Sequence, residues 1–261
     1  MVTDGSIQGV CRTYFLINMK KIGLKKWILW LSVVGNVLLL LLLVFIGGVK
    51  TNYFKSKLVQ YGFLQMNDRE REDYYSIKGW TNTLRKLNID VDVVFFGNSI
   101  TCGSSFEQYF PDVKICNLGY PGDGTKRMLL RVEQIKEVNP EKVFLMAGVN
   151  GLASQSIQEF SRGYKALVDS IVAVLPDAEI YLQSILPVNT SIRGDKKLNN
   201  DKIKRCNAFI QEYAKQKECI YIDLYNLYVE DDMMPAKYTK DGLHLNPEAY
   251  NIWADEIKKY L

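Results

Sequence analysis

Two kinds of apolar pattern divide the chain. Between Lys26 and Lys50 lie 23 residues, Trp27 to Val49, without an Asp, Glu, Lys, Arg or His, and they include the run Leu38 to Leu43. As a helix this stretch spans about 35 Å, enough to cross a hydrocarbon core of about 30 Å. A helix in a protein core needs only one apolar face, whereas this one is apolar all round. The pattern predicts a transmembrane anchor over residues 27–49, with the lipid bilayer as partner and Trp27 and Trp30 at the interface.

From Val91 onward the apolar residues fall in short, nearly continuous runs: Val91–Phe96, Lys114–Leu118, Lys142–Ala147, Glu179–Leu186 and Ile220–Leu224. Runs of this length without alternation suit parallel strands covered on both faces. Helical patterns separate them, around Asp123–Val138, Ser156–Leu175 and Asn199–Lys217, and a last one follows Pro247. This order predicts a three-layer α/β/α sandwich around a parallel sheet of about five strands. Between anchor and domain, residues 50–90 read as a stalk and a docking helix, with Ile77, Trp80, Leu84 and Leu87 at helical spacing on one face.

The charge distribution separates the tail from the body. Arg12, Lys20, Lys21, Lys25 and Lys26 against Asp4 account for the whole net charge of +4, and from Trp27 onward 28 basic residues face 28 acidic ones. The body therefore offers no electrostatic footprint for nucleic acid. The basic tail, residues 1–26, precedes the apolar span, so the positive-inside rule places it in the cytoplasm and residues 91–261 outside. A cleaved signal peptide would have a shorter apolar region, and only Gly47-Gly48 offers a weak cleavage site, so an uncleaved anchor is expected. Met19-Lys20-Lys21 reads as the natural start of such a segment, with residues 1–18 an upstream extension. Cys11, Cys102, Cys116, Cys206 and Cys219 form no CxxC pair and do not alternate with histidine. No metal site and no cofactor is expected, and the cysteines read as buried free thiols.

In open parallel sheets, ligands gather beyond the carboxyl ends of the strands. The first run ends in Gly97-Asn98-Ser99-Ile100-Thr101, placing a serine where a turn begins. The second ends in Asn117-Leu118-Gly119-Tyr120-Pro121-Gly122-Asp123-Gly124-Thr125, whose spacing fits neither dinucleotide nor P-loop fingerprints. Glycine there lets a backbone N–H approach a ligand. The third ends in Ala147-Gly148-Val149-Asn150-Gly151 and presents an amide donor. Near the end of the chain, Asp241-Gly242-Leu243-His244 holds the only histidine, three residues after an acid and just before a Pro-started helix. Together these supply what ester hydrolysis needs. A serine is a weak nucleophile until an imidazole takes its proton, the imidazolium needs a carboxylate, and the oxyanion needs aimed donors.

The four blocks resemble those of the SGNH hydrolases, also called GDSL esterases and lipases, over residues 91–261. Ser99, Gly119, Asn150 and His244 match the family's Ser, Gly, Asn and His in chain order, and Asp241 matches its triad acid. The resemblance implies a flavodoxin-like SGNH fold. It also implies Ser99, His244 and Asp241 as catalytic triad, and an oxyanion hole from the N–H groups of Ser99 and Gly119 with the Asn150 amide. Two positions depart from the pattern. Asn98 stands where the family name implies Asp, and it supplies hydrogen bonds but no charge. Gly151 stands where Asp often follows Asn, so the positioning of Asn150 is the open point.

Compact domains of this family resemble carbohydrate O-acetylesterases and acetylhydrolases. The expected substrate is a short acyl ester, foremost an O-acetyl group on a glycan. A lysophospholipase or lipase-type esterase, an O-acyltransferase using the same acyl-enzyme, and a non-catalytic glycan-binding module are the alternatives.

Overall fold

The computed structural model describes residues 68–194 and 197–261. The predicted basic tail, the anchor at 27–49 and the stalk up to residue 67 lie outside the described residues. Among the described residues, no helix is long and apolar enough to cross a membrane.

Five strands form the centre: β1 (Val93–Gly97), β2 (Ile115–Gly119), β3 (Lys142–Met146), β4 (Glu179–Gln183) and β5 (Ile220–Ile222). All neighbours are parallel, in the order β2-β1-β3-β4-β5. Every residue of β1 is buried, as its unbroken apolar run requires of a strand with both faces covered. Helices α1 (Asp68–Leu87), α2 (Ser99–Cys102), α3 (Phe106–Tyr109), α4 (Thr125–Glu137) and α5 (Val149–Leu152) accompany the first three strands. They are followed by α6 (Ile157–Val174), α7 (Thr190–Arg193), α8 (Asn200–Gln216) and α9 (Pro247–Ile257).

Side-chain alternation sends neighbouring strand residues into two different layers. On one face Phe95, Phe144 and Tyr181 lie opposite each other in register, with ring centroids 5.0 and 4.4 Å apart. Phe106 of α3 stacks on Phe95 at 4.0 Å, Trp253 of α9 meets Phe106 edge-on at 5.0 Å, and Tyr260 closes on Tyr181 at 5.5 Å. On the other face Arg131 of α4 lies 4.9 Å above the Phe96 ring. There α4 packs against α6, closely enough that a Cβ at Gly163 would come within 2.7 Å of Thr125 Oγ1. The strand order reverses between β1 and β3, since the chain leaves β1 first to one side and then to the other. Ligands bind in the crevice at such a switch point.

Two expectations are corrected. The docking helix α1 buries Ile77 and Thr81 and half-buries Leu84, while Trp80 and Leu87 are 60% and 57% exposed. It meets α4 along a narrow stripe fixed by Arg85 on Glu137 at 2.6 Å and by Gln134 on the Ile77 carbonyl, and this turns Trp80 and Leu87 outward. The fourth apolar run was expected to stay extended to Leu186, but β4 ends at Gln183. Its neighbour β5 ends at Ile222, so beyond that point no strand among the described residues faces Ile185. Asn207 of α8 takes the place of one, accepting from the Ile185 N–H and donating to its carbonyl, both at 2.8 Å. Asn200 does the same for Val188 at 2.8 and 2.9 Å.

Among the described residues Cys102, Cys116, Cys206 and Cys219 are free thiols. Burial pushes the Cys206 thiol up to about 11. Cys116 and Cys219 are half-buried and Cys102 is exposed, so of the four only Cys206 meets the expectation of burial.

Candidate active site

The turn from β1 into α2 presents Ser99. Gly97 is required there, because a Cβ would lie 1.9 Å from Thr101 Oγ1. Asn98 is the N-cap, and its buried side chain accepts from the Ile100 N–H at 2.9 Å. Asn caps a helix as well as Asp does, so the exchange in this block keeps the turn and removes only a charge. Ser99 is then the first helical residue, half-buried, with its hydroxyl turned to the chain's one histidine. Ser99 Oγ lies 2.9 Å from His244 Nε2, and His244 Nδ1 lies 2.6 Å from Asp241 Oδ2.

The histidine loop is built around its acid. Asp241 Oδ1 accepts from the N–H groups of Leu243 and His244 at 2.9 and 2.8 Å. Burial acts to raise the Asp241 pKa, but the hydrogen bonds from His244 and Leu243 and the imidazole charge outweigh it and hold the carboxyl far below its ordinary range. Gly242 adopts φ +78°, and a Cβ there would come within 2.5 Å of the Asn189 carbonyl. Asn189 donates its N–H to the Gly242 carbonyl at 2.9 Å and so ties the segment after β4 to this loop. Asn246 caps α9, and Pro247 starts it.

The remaining two blocks do not behave alike. The Gly119 N–H, expected to face an oxyanion, donates instead to Asn117 Oδ1 at 2.9 Å. What position 119 demands is closeness, because a Cβ would lie 2.2 Å from the Cys102 nitrogen. Its neighbour in the same turn, Gly122, has φ +78° and open space around it. Asn150 is exposed on α5, and its Nδ2 donates to the Asp123 carbonyl at 2.9 Å, leaving its second amide hydrogen free to point elsewhere. The support expected from a carboxylate at position 151 thus comes from a backbone carbonyl across the crevice.

Asp123 and Arg131 escaped the reading of the sequence. Both are buried, with Arg131 Nε 2.7 Å from Asp123 Oδ2 and Arg127 Nε 3.4 Å from Asp123 Oδ1. Burial lifts the Asp123 carboxyl above the usual carboxylate range, and the two guanidiniums act against that shift. The only signal in the sequence is an acid in a glycine turn followed by basic residues at helical spacing. Among the described residues no group of His, Cys, Asp and Glu could hold a metal ion.

Residues 95–252, more than half of the chain, match the GDSL-like Lipase/Acylhydrolase family. The chain belongs to that family. Membership in the GDSL-like acylhydrolases places the domain among ester-hydrolysing enzymes. A relative in Drosophila melanogaster, the platelet-activating factor acetylhydrolase IB subunit beta homolog, is 32% identical over 129 residues, 47% of this chain. The match spans about half of that relative's own length, 53%. Among solved structures, a GDSL-like lipase from Bacteroides thetaiotaomicron is 25% identical with a TM-score of 0.61, covering 72% of this chain and 97% of its own. A structure named for a platelet activating factor from Streptococcus pneumonia shares the fold at 24% identity and a TM-score of 0.64, covering 73% and 95%.

Proposed function

We propose that the chain is a membrane-anchored serine esterase that removes short acyl groups, foremost O-acetyl groups on carbohydrate. The observation that carries the chemistry is the continuous line Asp241–His244–Ser99, with contacts of 2.6 and 2.9 Å. Ser99 attacks the ester carbonyl while His244 Nε2 takes its proton. Asp241, acceptor for Nδ1–H, fixes the tautomer and stabilises the imidazolium. Collapse of the tetrahedral intermediate expels the alcohol, which receives the proton from His244. Water then attacks the acyl-serine with the same base.

The oxyanion is received by the Ser99 N–H, which at the first position of a helix meets no acceptor among the described residues, and by the second hydrogen of Asn150 Nδ2. The Gly119 N–H, which the family pattern offers as a third donor, is held by Asn117 Oδ1 in this structure.

Two observations support a short acyl group. The Drosophila relative is by name an acetylhydrolase. The His244 and Asp241 side chains are 44% and 53% exposed, which is the character of an open site and not of the foot of a long apolar channel. Support for the anchor and for an extracytoplasmic catalytic domain comes from the sequence, through the uncharged span at 27–49 and the lysines before it.

The test is labelling by a fluorophosphonate probe and turnover of p-nitrophenyl acetate, wild type beside Ser99→Ala, in intact cells and after lysis. Both signals should vanish in the variant, and the probe should reach the wild type before lysis. Labelling that survives in Ser99→Ala removes the nucleophile, and labelling only after lysis removes the orientation. Acyl esters of two to twelve carbons should be cleaved with falling rate as the chain lengthens, and the reverse order would favour a lysophospholipase.

A further inference from the structure

Three segments of the crevice converge on one buried cation. Arg131 is 4% exposed. Its Nε donates to Asp123 Oδ2 at 2.7 Å, and its Nη2 donates to the Leu118 carbonyl at 3.1 Å and the Gly97 carbonyl at 3.4 Å. Its Nη1 donates to Gln134 Oε1 at 3.1 Å. Gly97 ends β1 two residues before Ser99, and Leu118 is the β2 residue just before Gly119, which ends that strand. Asp123 offers its carbonyl to Asn150 Nδ2. The guanidinium therefore fastens the loops after β1 and β2 to each other and holds the peptide on which Asn150 leans.

A planar fork with five N–H donors can serve these acceptors at once, and it stays charged at any pH the protein meets. A lysine ammonium would keep the charge without the fork. An oxyanion donor contributes only when aimed at the position the charge will occupy, so a small displacement of the Asp123 carbonyl is felt at the reacting atoms.

We infer that Arg131 is a positioning residue for the oxyanion hole, acting on Asn150 through Asp123. This rests on the reading of Asn150 as an oxyanion donor. In this chain the arginine takes over the support that a carboxylate at position 151 would give. It touches neither substrate nor the reacting atoms.

A purely structural salt bridge would also weaken the protein when broken, so the test looks for coupling to Asn150. The wild type, Arg131→Lys, Asn150→Ala and the double variant are compared for kcat and KM on p-nitrophenyl acetate, with active sites counted by fluorophosphonate labelling and folding followed by thermal midpoint. Asn150→Ala should lower kcat by about 100-fold, the usual loss for one oxyanion donor. Arg131→Lys should lower kcat by roughly tenfold or more with KM changed less than about twofold, because the interaction exists only in the transition state. The double variant should fall within about twofold of Asn150→Ala alone, since the arginine has nothing left to aim.

Losses that multiply would overturn the inference, as would an Arg131→Lys protein that melts earlier but keeps kcat per labelled site. If Arg131→Lys does not fold, Asp123→Asn carries the same cycle, because it keeps the carbonyl under Asn150 and removes the ion pair. A wild type that is neither labelled nor active would refute the esterase reading itself, and multiplying losses in an active enzyme refute only the role of Arg131.

Discussion

Tyr250, on the helix that follows His244, donates a 2.6 Å hydrogen bond to the carbonyl of Ile100, the residue after Ser99. The bond clamps the nucleophile's helix to the helix that follows the base, and Gly103 leaves room for it, since a Cβ there would stand 2.6 Å from the hydroxyl. The two halves of the triad are 145 residues apart in sequence. Their register across 2.9 Å thus depends on such cross-ties.

Tyr250→Phe leaves the buried Ile100 carbonyl without its partner, which costs about 1–3 kcal/mol. Activity on acetyl esters should fall roughly tenfold, because a displacement of less than 1 Å between nucleophile and base is enough to cost that much. Urea denaturation beside turnover at one temperature checks both. A variant as stable and as active as the wild type would show that the clamp does not set the triad.

Asp241 supplies a pH signature. Its folded pKa is depressed below the ordinary carboxylate value of about 3.9, so its contribution to stability is complete above that pH. The contribution is lost as pH falls through the carboxylate range toward the folded pKa. The stability difference between wild type and Asp241→Asn should therefore shrink as pH falls below about 4. Urea midpoints of both proteins across that range measure it. A difference that did not shrink below about pH 4 would mean the carboxyl is not held ionised by the His244 loop.

Two glycines of one turn separate steric from conformational demand. At Gly119 an added Cβ meets backbone atoms of Cys102 at 2.2 and 2.7 Å, which cannot rotate away. Gly119→Ala should displace α2, abolish labelling of Ser99 and yield little folded protein. At Gly122 a Cβ meets nothing within 4 Å, and the cost is the left-handed backbone alone, about 1–2 kcal/mol. Gly122→Ala should fold with a modestly lower thermal midpoint. Equal behaviour of the two variants would contradict the close approach of Gly119 to α2.

The sequence revealed the parts whose cause is local. Strands buried on both faces announce themselves as unbroken apolar runs, and all five lie within the predicted runs apart from the last residues of β1 and β2, Gly97 and Gly119. Asp241 and His244 stood out because the one imidazole lies three positions after an acid, and the loop brings them to 2.6 Å. The commitment of the Gly119 N–H to Asn117 was hidden, since an Asn two residues earlier in a strand reads as neither cap nor turn. Arg131 was hidden for another reason. A basic residue within an amphipathic helix reads as solvated, and three of its acceptors are Asp123 and two backbone carbonyls, which leave no mark in a sequence. Trp80 was placed wrongly because periodicity defines a stripe and not its centre, and here the α4 contact runs along Ile77 and Thr81. The four-residue helices α2 and α5, which carry Ser99 and Asn150, are too short to show a period at all.

The same limit applies to Asn207, a polar residue on the buried face of α8 whose purpose appears only in three dimensions. Its amide satisfies both the N–H and the carbonyl of Ile185 where β4 has run out of neighbours. Asn207→Ala removes both partners from buried backbone groups, each loss costing about 1–3 kcal/mol. Asn207→Asp keeps the acceptor for the Ile185 N–H but sets a carboxylate oxygen against the carbonyl. The aspartate is therefore expected to destabilise at least as much as the alanine, although it is closer in shape. The segment from Ile185 leads on to Asn189, which braces Gly242, so the Asp241–His244 loop should loosen in both variants. Hydrogen exchange at Ile185 and Asn189 should accelerate in step with the loss of stability. If the aspartate variant were the more stable of the two, the Ile185 carbonyl would not need Asn207 as its donor.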